Sequence, residues 1–145
     1  MTSSETAARR DHWVRAAGYG LLAEIATVLT IILIVTAYRF AFARGLPDAD
    51  YAAFRQRVGG IVGIVGGTLY TYLFARLLMR VVTGRFTAHG VIVAVTAIAF
   101  SIAGSIAGHQ GVPAGYVLAS ALKLAAGALA GFLYSRSVSL NRNVV

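Results

Sequence analysis

The sequence contains no cysteine, which excludes disulfide scaffolds and thiolate metal sites. Acidic residues are scarce: Asp and Glu together number 5 against 13 Lys and Arg, for a net charge of +8. Charged residues of both signs make up only 12% of the chain, where ordinary soluble domains carry about 25%. A chain of 145 residues with so few charges cannot cover a globule with solvated side chains. An ordinary soluble enzyme, a disordered tail and a free nucleic-acid-binding domain are therefore excluded. What fills the sequence instead is apolar: 58% of residues are hydrophobic.

The charges divide this apolar material into runs. Between Arg15 and Arg39 the only charge is Glu24, and between Arg57 and Arg76 there is none. From Phe86 to Leu122 no Lys, Arg, Asp or Glu occurs. A membrane-spanning helix needs about 20 mostly apolar residues, so this last stretch is too long for one span. His109-Gln110-Gly111-Val112-Pro113 divides it, because Gly and Pro punctuate helices and Pro suits a first helical turn. The pattern predicts a single all-α membrane domain over the whole chain, a four-helix transmembrane bundle with spans at roughly 17–42, 58–82, 88–108 and 113–135. The runs are too continuously apolar for the alternating strands of an outer-membrane barrel.

Arg9, Arg10 and Arg15 precede the first run, and Ala41-Phe42-Ala43 has the form of a signal-peptidase site. The run is longer than a usual signal core and contains Glu24, so an uncleaved anchor is expected. With four spans, both termini share a side with the loop between helices two and three. That side carries Arg9, Arg10, Arg15, Arg76, Arg80, Arg85, Arg136 and Arg142. The other carries Arg39, Arg44, Arg55 and Arg57, partly offset by Asp48 and Asp50. The positive-inside rule then puts both termini in the cytoplasm of a bacterial inner membrane. Trp13, Tyr19 and Tyr134 would mark the inner interface, and Tyr38 and Tyr116 the outer one. The basic inner face attracts anionic lipid, with Arg76, Arg80 and Arg85 as headgroup candidates.

The first outer loop is expected to hold a short interfacial helix at about 47–57. Pro47 opens it, Asp48 and Asp50 lie at its positive end, and Arg55 and Arg57 lie at its negative end. Tyr51, Phe54 and Val58 provide an apolar face.

Small residues mark the faces by which membrane helices approach closely. Helix two has Gly59, Gly63 and Gly67 at four-residue spacing. Helix three has Gly104 and Gly108. In helix four, Gly115, Ala119, Lys123, Gly127 and Gly131 form one row. Packing within the chain and contact between copies are both open readings of these rows.

Glu24 and Lys123 are the costly residues. A charge at the bilayer centre costs roughly 2.5–3.5 kcal/mol on insertion scales, so both are expected to face protein. Their mutual pairing meets a geometric objection. Side chains lean toward the N-terminus of their helix, which sends Glu24 toward the cytoplasm and Lys123 outward. Arg76 leans toward the level of Glu24 and is a rival partner, and the pairing stays open among Lys123, Arg76 and none. Tyr70 near the midplane is placed to hydrogen-bond Lys123 or simply to pack. His89 and His109 fall at opposite membrane faces, where each is expected to be interfacial. No metal or cofactor site follows, and no catalytic set or phosphate loop is visible.

The segment Leu21-Leu22-Ala23-Glu24-Ile25-Ala26 resembles the first helix of small multidrug resistance transporters. That resemblance implies a four-helix protein whose helix-one glutamate exchanges protons for cationic drugs in an antiparallel dimer. The chain differs from them in its long first outer loop, in Lys123, and in lacking their aromatic-glycine segment in helix three. Only Glu24 carries over, as a candidate proton carrier. Ala43-Arg44-Gly45-Leu46-Pro47-Asp48, Tyr51-Ala52-Ala53-Phe54 and the glycine-rich helix at 59–67 resemble small, uncharacterised bacterial four-helix inner-membrane proteins. This broader resemblance spans about half the chain and brings no activity with it.

The sequence thus leads to a non-enzymatic inner-membrane protein. It would be an accessory, assembly or structural subunit acting through helix–helix and lipid contacts. Its partners would be further copies or a larger membrane complex, and not nucleic acid. The alternative is a small proton- or ion-coupled transporter using Glu24.

Overall fold

The computed structural model describes residues 3–42, 44–45, 47–108 and 115–142, with side chains from residue 12 to residue 140. Every regular element among them is helical. Helix α1 covers Ser3–Ala37 and continues through a π-helical turn at Tyr38–Phe42. Helix α2 covers Asp48–Ile61 and α3 covers Gly67–Met79, with a π-helical turn at Val62–Gly66 between them. Helices α4 and α5 cover Phe86–Ala107 and Gly115–Arg142. Four stretches are long and apolar enough to cross a membrane: His12–Phe42, Asp48–Met79, Phe86–Ala107 and Gly115–Leu140. The expected break at 109–113, His109 included, lies outside the described residues.

Within these apolar stretches four threonine hydroxyls are satisfied by their own helix. Thr27 donates to the Ala23 carbonyl at 2.9 Å, Thr30 to Ala26 at 2.8 Å, Thr68 to Ile64 at 2.6 Å and Thr71 to Gly67 at 2.7 Å. Such back-bonding lets a polar group sit where no water is available to it. The chain turns after α1 where Arg44 Nε donates to the Phe40 carbonyl at 2.6 Å and Gly45 takes φ +85°. That left-handed conformation costs glycine nothing. Pro47 then starts α2, accepting from the Asp50 amide at 3.0 Å.

One expectation is corrected here. The loop helix does not end near residue 57. The backbone stays right-handed helical through Val62, Gly66 and Gly67, so α2, the π-helical turn and α3 form one uninterrupted rod. Gly59-Gly60 weakens a helix but does not stop one, and the turn at Val62–Gly66 absorbs the misfit. Arg55 and Arg57 therefore sit inside a helix and not at the negative end of one.

The bundle has a definite order. Helices α4 and α5 pack together, as do α1 and α4, α3 and α5, and α1 and α3; α3 and α4 also touch. This puts α1 and α5 at opposite corners. The core joins Ala16, Ala75, Leu78, Met79, Val82, Val93 and Ala130, with Tyr19, Tyr72, Phe86, Ile92 and Tyr134 packed against it. Backbones meet where α4 crosses α5. A Cβ on Gly90 would strike the Gly127 carbonyl, and one on Gly127 would strike the Gly90 carbonyl.

The packing is lopsided. Buried residues run from Ala16 to Thr27 in α1, from Gly67 to Val82 in and after α3, from His89 to Ala97 in α4, and from Lys123 to Gly131 in α5. All of these belong to one half of the bundle. Among the described residues, none in 28–66, 98–108 or 115–122 is buried.

Candidate functional site

Lys123 and Glu24 meet at the boundary between the packed and open halves. Lys123 Nζ donates to Glu24 Oε2 at 2.7 Å, with the two side chains 4% and 13% exposed. They come from opposite corners of the bundle, so the lysine reaches across it. Gly67 on α3 makes the crossing passable: a Cβ there would lie 2.7 Å from Lys123 Cε and 3.4 Å from Nζ. Thr27 Cγ2 borders the same space, 3.9 Å from that point. The backward lean of each side chain is real, but the long flexible stem of lysine overcomes it.

The other candidates are engaged elsewhere. Tyr70 bonds Thr30 rather than Lys123, with the two hydroxyls 2.9 Å apart. Because Thr30 donates its proton to Ala26, Tyr70 is the donor to Thr30. This bond ties α3 to α1 just beyond the ion pair. Arg76 does not pair with Glu24; its guanidinium lies over the Tyr134 ring, 5.6 Å from the centroid. Arg80 and Arg85 are exposed, and Arg85 immediately precedes α4 at φ 50°.

The glycine candidates divide by position. Gly67, Gly127 and Gly131 are contact points, the last against the Phe86 carbonyl. At Gly59, Gly63 and Gly104 a Cβ would meet nothing within 4 Å, because the helices have diverged there. Gly108 closes α4 through its amide, which donates to the Gly104 carbonyl at 2.9 Å. Two close approaches were missed in the sequence: Gly90, and Gly20, where a Cβ would lie 2.5 Å from the Val93 carbonyl.

His89 is buried, which its sequence position did not indicate. It lies near Trp13 at the start of α4, as the interfacial reading expects, but it is covered by protein rather than open to the surface, at 4% exposed. Its Nδ1 lies 3.0 Å from the Arg85 carbonyl, while Nε2 is buried with no partner among the described residues. Trp13 stacks on the ring at 4.3 Å, and His12 approaches edge-on at 6.2 Å. The adjacent Gly90 was the one available signal, since it draws neighbouring helices in around this position.

On the outside of the bundle a groove of about 230 Å³ is lined by Leu21, Glu24, Ile25, Val28, Leu29 and Phe100. Glu24 is its one polar lining residue. The site therefore offers a carboxylate held by an ammonium, with the apolar stem of Glu24 forming part of the wall of an apolar groove. Comparison with protein-family models, curated proteins and solved structures finds no match to the chain, so the site is read from its own chemistry.

Proposed function

We propose that this chain is a small integral inner-membrane protein that serves as an assembly or structural subunit. One half folds the molecule and the other receives further membrane helices. The observation that carries this reading is the confinement of buried residues to one half. In the other half, Gly59, Gly60, Gly63 and Gly104 leave open space on helix surfaces. Lipid tails are as apolar as leucine, so helices associate in membranes through close packing at small residues. Unfilled small-residue faces suit that purpose. The rod Asp48–Met79 has 32 residues, about 48 Å at 1.5 Å per residue, against a hydrocarbon thickness of about 30 Å. Its first turns therefore extend to the outer interface, where Tyr51 and Phe54 act as anchors.

Native mass spectrometry of protein extracted from its own membrane tests the assembly. Further copies or a membrane partner are expected to remain bound. Gly59→Leu with Gly63→Leu is expected to release them while leaving the thermal midpoint of the chain nearly unchanged. A strict monomer with no co-purifying protein or lipid overturns the reading.

A second reading rests on Glu24 as a lining residue of the groove. A proton-coupled transporter of cations requires an intramembrane carboxylate, and Glu24 borders the groove through its stem while its carboxylate turns to Lys123. The close ammonium of Lys123 favours the structural role, because it competes with both a proton and a cationic substrate. The two readings separate at Glu24→Gln, as argued below.

A further inference from the structure

At the far end of the packed half, beyond the ion pair, lies a group of hydrogen-bond donors that the fold does not use. Arg76 is half-buried and carries a planar fork of N–H donors. It makes no hydrogen bond or ion pair among the described residues, and its guanidinium lies over the face of Tyr134. That ring is itself fixed by Phe86, 5.0 Å away. The Tyr134 hydroxyl has no hydrogen-bond partner among the described residues. Arg80 follows Arg76 by one helical turn and is exposed. Arg80 is the C-cap of α3 and keeps a right-handed backbone, so its spacing of four residues starts its side chain near the helix face that carries Arg76.

No acid on these elements offsets the group. The segments 76–90 and 123–145 contain no Asp or Glu. Glu5 and Asp11 are the acids on the entering segment of α1, where Arg9, Arg10 and Arg15 outnumber them. Gly131 brings the backbone of α5 against Phe86, which sets the N-terminus of α4, the positive end of that helix, beside Tyr134.

We propose that Arg76, Arg80 and Tyr134 bind the headgroup phosphate of an anionic phospholipid. The guanidinium fork matches the two non-bridging oxygens of a phosphodiester, and the tyrosine hydroxyl donates to one of the same two oxygens. Arg76 sits in the last turn of the apolar rod, the depth at which a headgroup lies when the acyl chains cover the exposed Leu73, Leu77 and Val81. The surplus of positive charge selects an anionic headgroup over a zwitterionic one. This inference rests on the chain being embedded in a bilayer. If alkaline carbonate strips the chain from its membranes, that premise fails, whereas the lipid measurements below bear on the site alone.

The test uses the full chain in detergent with phosphatidylglycerol, phosphatidylcholine or inorganic phosphate, read by native mass spectrometry and thermal unfolding. Phosphatidylglycerol is expected to remain bound under conditions that strip phosphatidylcholine, and to raise the unfolding midpoint where inorganic phosphate does not. Arg76→Gln with Arg80→Gln is expected to weaken phosphatidylglycerol binding at least about tenfold. Arg57→Gln, at the other end of the same rod, is expected to leave it unchanged. Tyr134→Phe keeps the ring under Arg76 and removes only the hydroxyl; an about threefold loss is expected. It serves as the deciding variant if the double arginine change does not fold. Equal binding of phosphatidylcholine, an equal midpoint shift with inorganic phosphate, or full binding by the substituted proteins overturns the proposal.

Discussion

Glu24 and Lys123 each carry a charge that is expensive alone and tolerable together. Removing one partner of a buried pair costs about 3–5 kcal/mol, because the other charge is left uncompensated. Replacing both with uncharged residues of similar size is often nearly neutral. Glu24→Gln is therefore expected to lower the unfolding midpoint strongly, and Lys123→Met in the same chain to restore most of it. A denaturation series on the two single variants and the double variant measures this. If Glu24→Gln instead abolishes cation transport in vesicles while stability holds, the transporter reading gains and the structural one falls. The sequence showed that both charges need protein around them, since Lys123 stands in the small-residue row of its helix. It left the partner open for a physical reason. Side-chain lean and level along the membrane normal are readable from spacing. The crossing of a long stem over Gly67 depends on which helices stand at which corners. The burial of His89 is hidden in the same way, because it needs Trp13 from another helix to cover the ring.

Glycine has two different consequences for the helices of this chain. Where α4 crosses α5, each of Gly90 and Gly127 admits the other's backbone, and any Cβ meets a carbonyl rather than a movable side chain. Gly127→Ala is expected to destabilise the bundle by about 1–3 kcal/mol, the usual range for overpacking. Gly104→Ala, with open space around it, is expected to stay within about 0.5 kcal/mol of the parent. Thermal or denaturant unfolding of the two variants in one detergent compares them, and equal effects would contradict the crossing described above. The four helices long and apolar enough to span a membrane were legible because charge spacing and run length decide them, and Gly127 and Gly131 because they share a face with Lys123. The joint between the loop helix and the second span was not legible. Paired glycines such as Gly59-Gly60 signal a break in water, but an apolar setting leaves the backbone no other partner than its own helix. The chain keeps its helical bonds there and shifts to a π-helical turn.

For the whole molecule the question is how a packed half and an open half are set in the membrane. The packed half ends in the segments that hold Arg76, Arg80, Arg85 and Arg136, and the open half leads to Asp48, Asp50, Arg55 and Arg57. By the positive-inside rule, the larger excess of arginine at the packed end is expected to place that end in the cytoplasm. The open half, with its unfilled glycines, would then lie toward the outer face. The absence of cysteine from the chain makes this arrangement directly measurable, because one introduced thiol reports alone. Thr83, between α3 and α4, and Ala52, early in α2, are both exposed, so a cysteine at either position disturbs no packing. In intact cells a membrane-impermeant maleimide is expected to label Ala52→Cys and not Thr83→Cys, and permeabilised cells are expected to label both. The reverse pattern would invert the molecule and move the arginine-lined end away from the anionic inner leaflet. Labelling of both in intact cells would mean two orientations in one membrane, which would let the open half of one copy face the packed half of another.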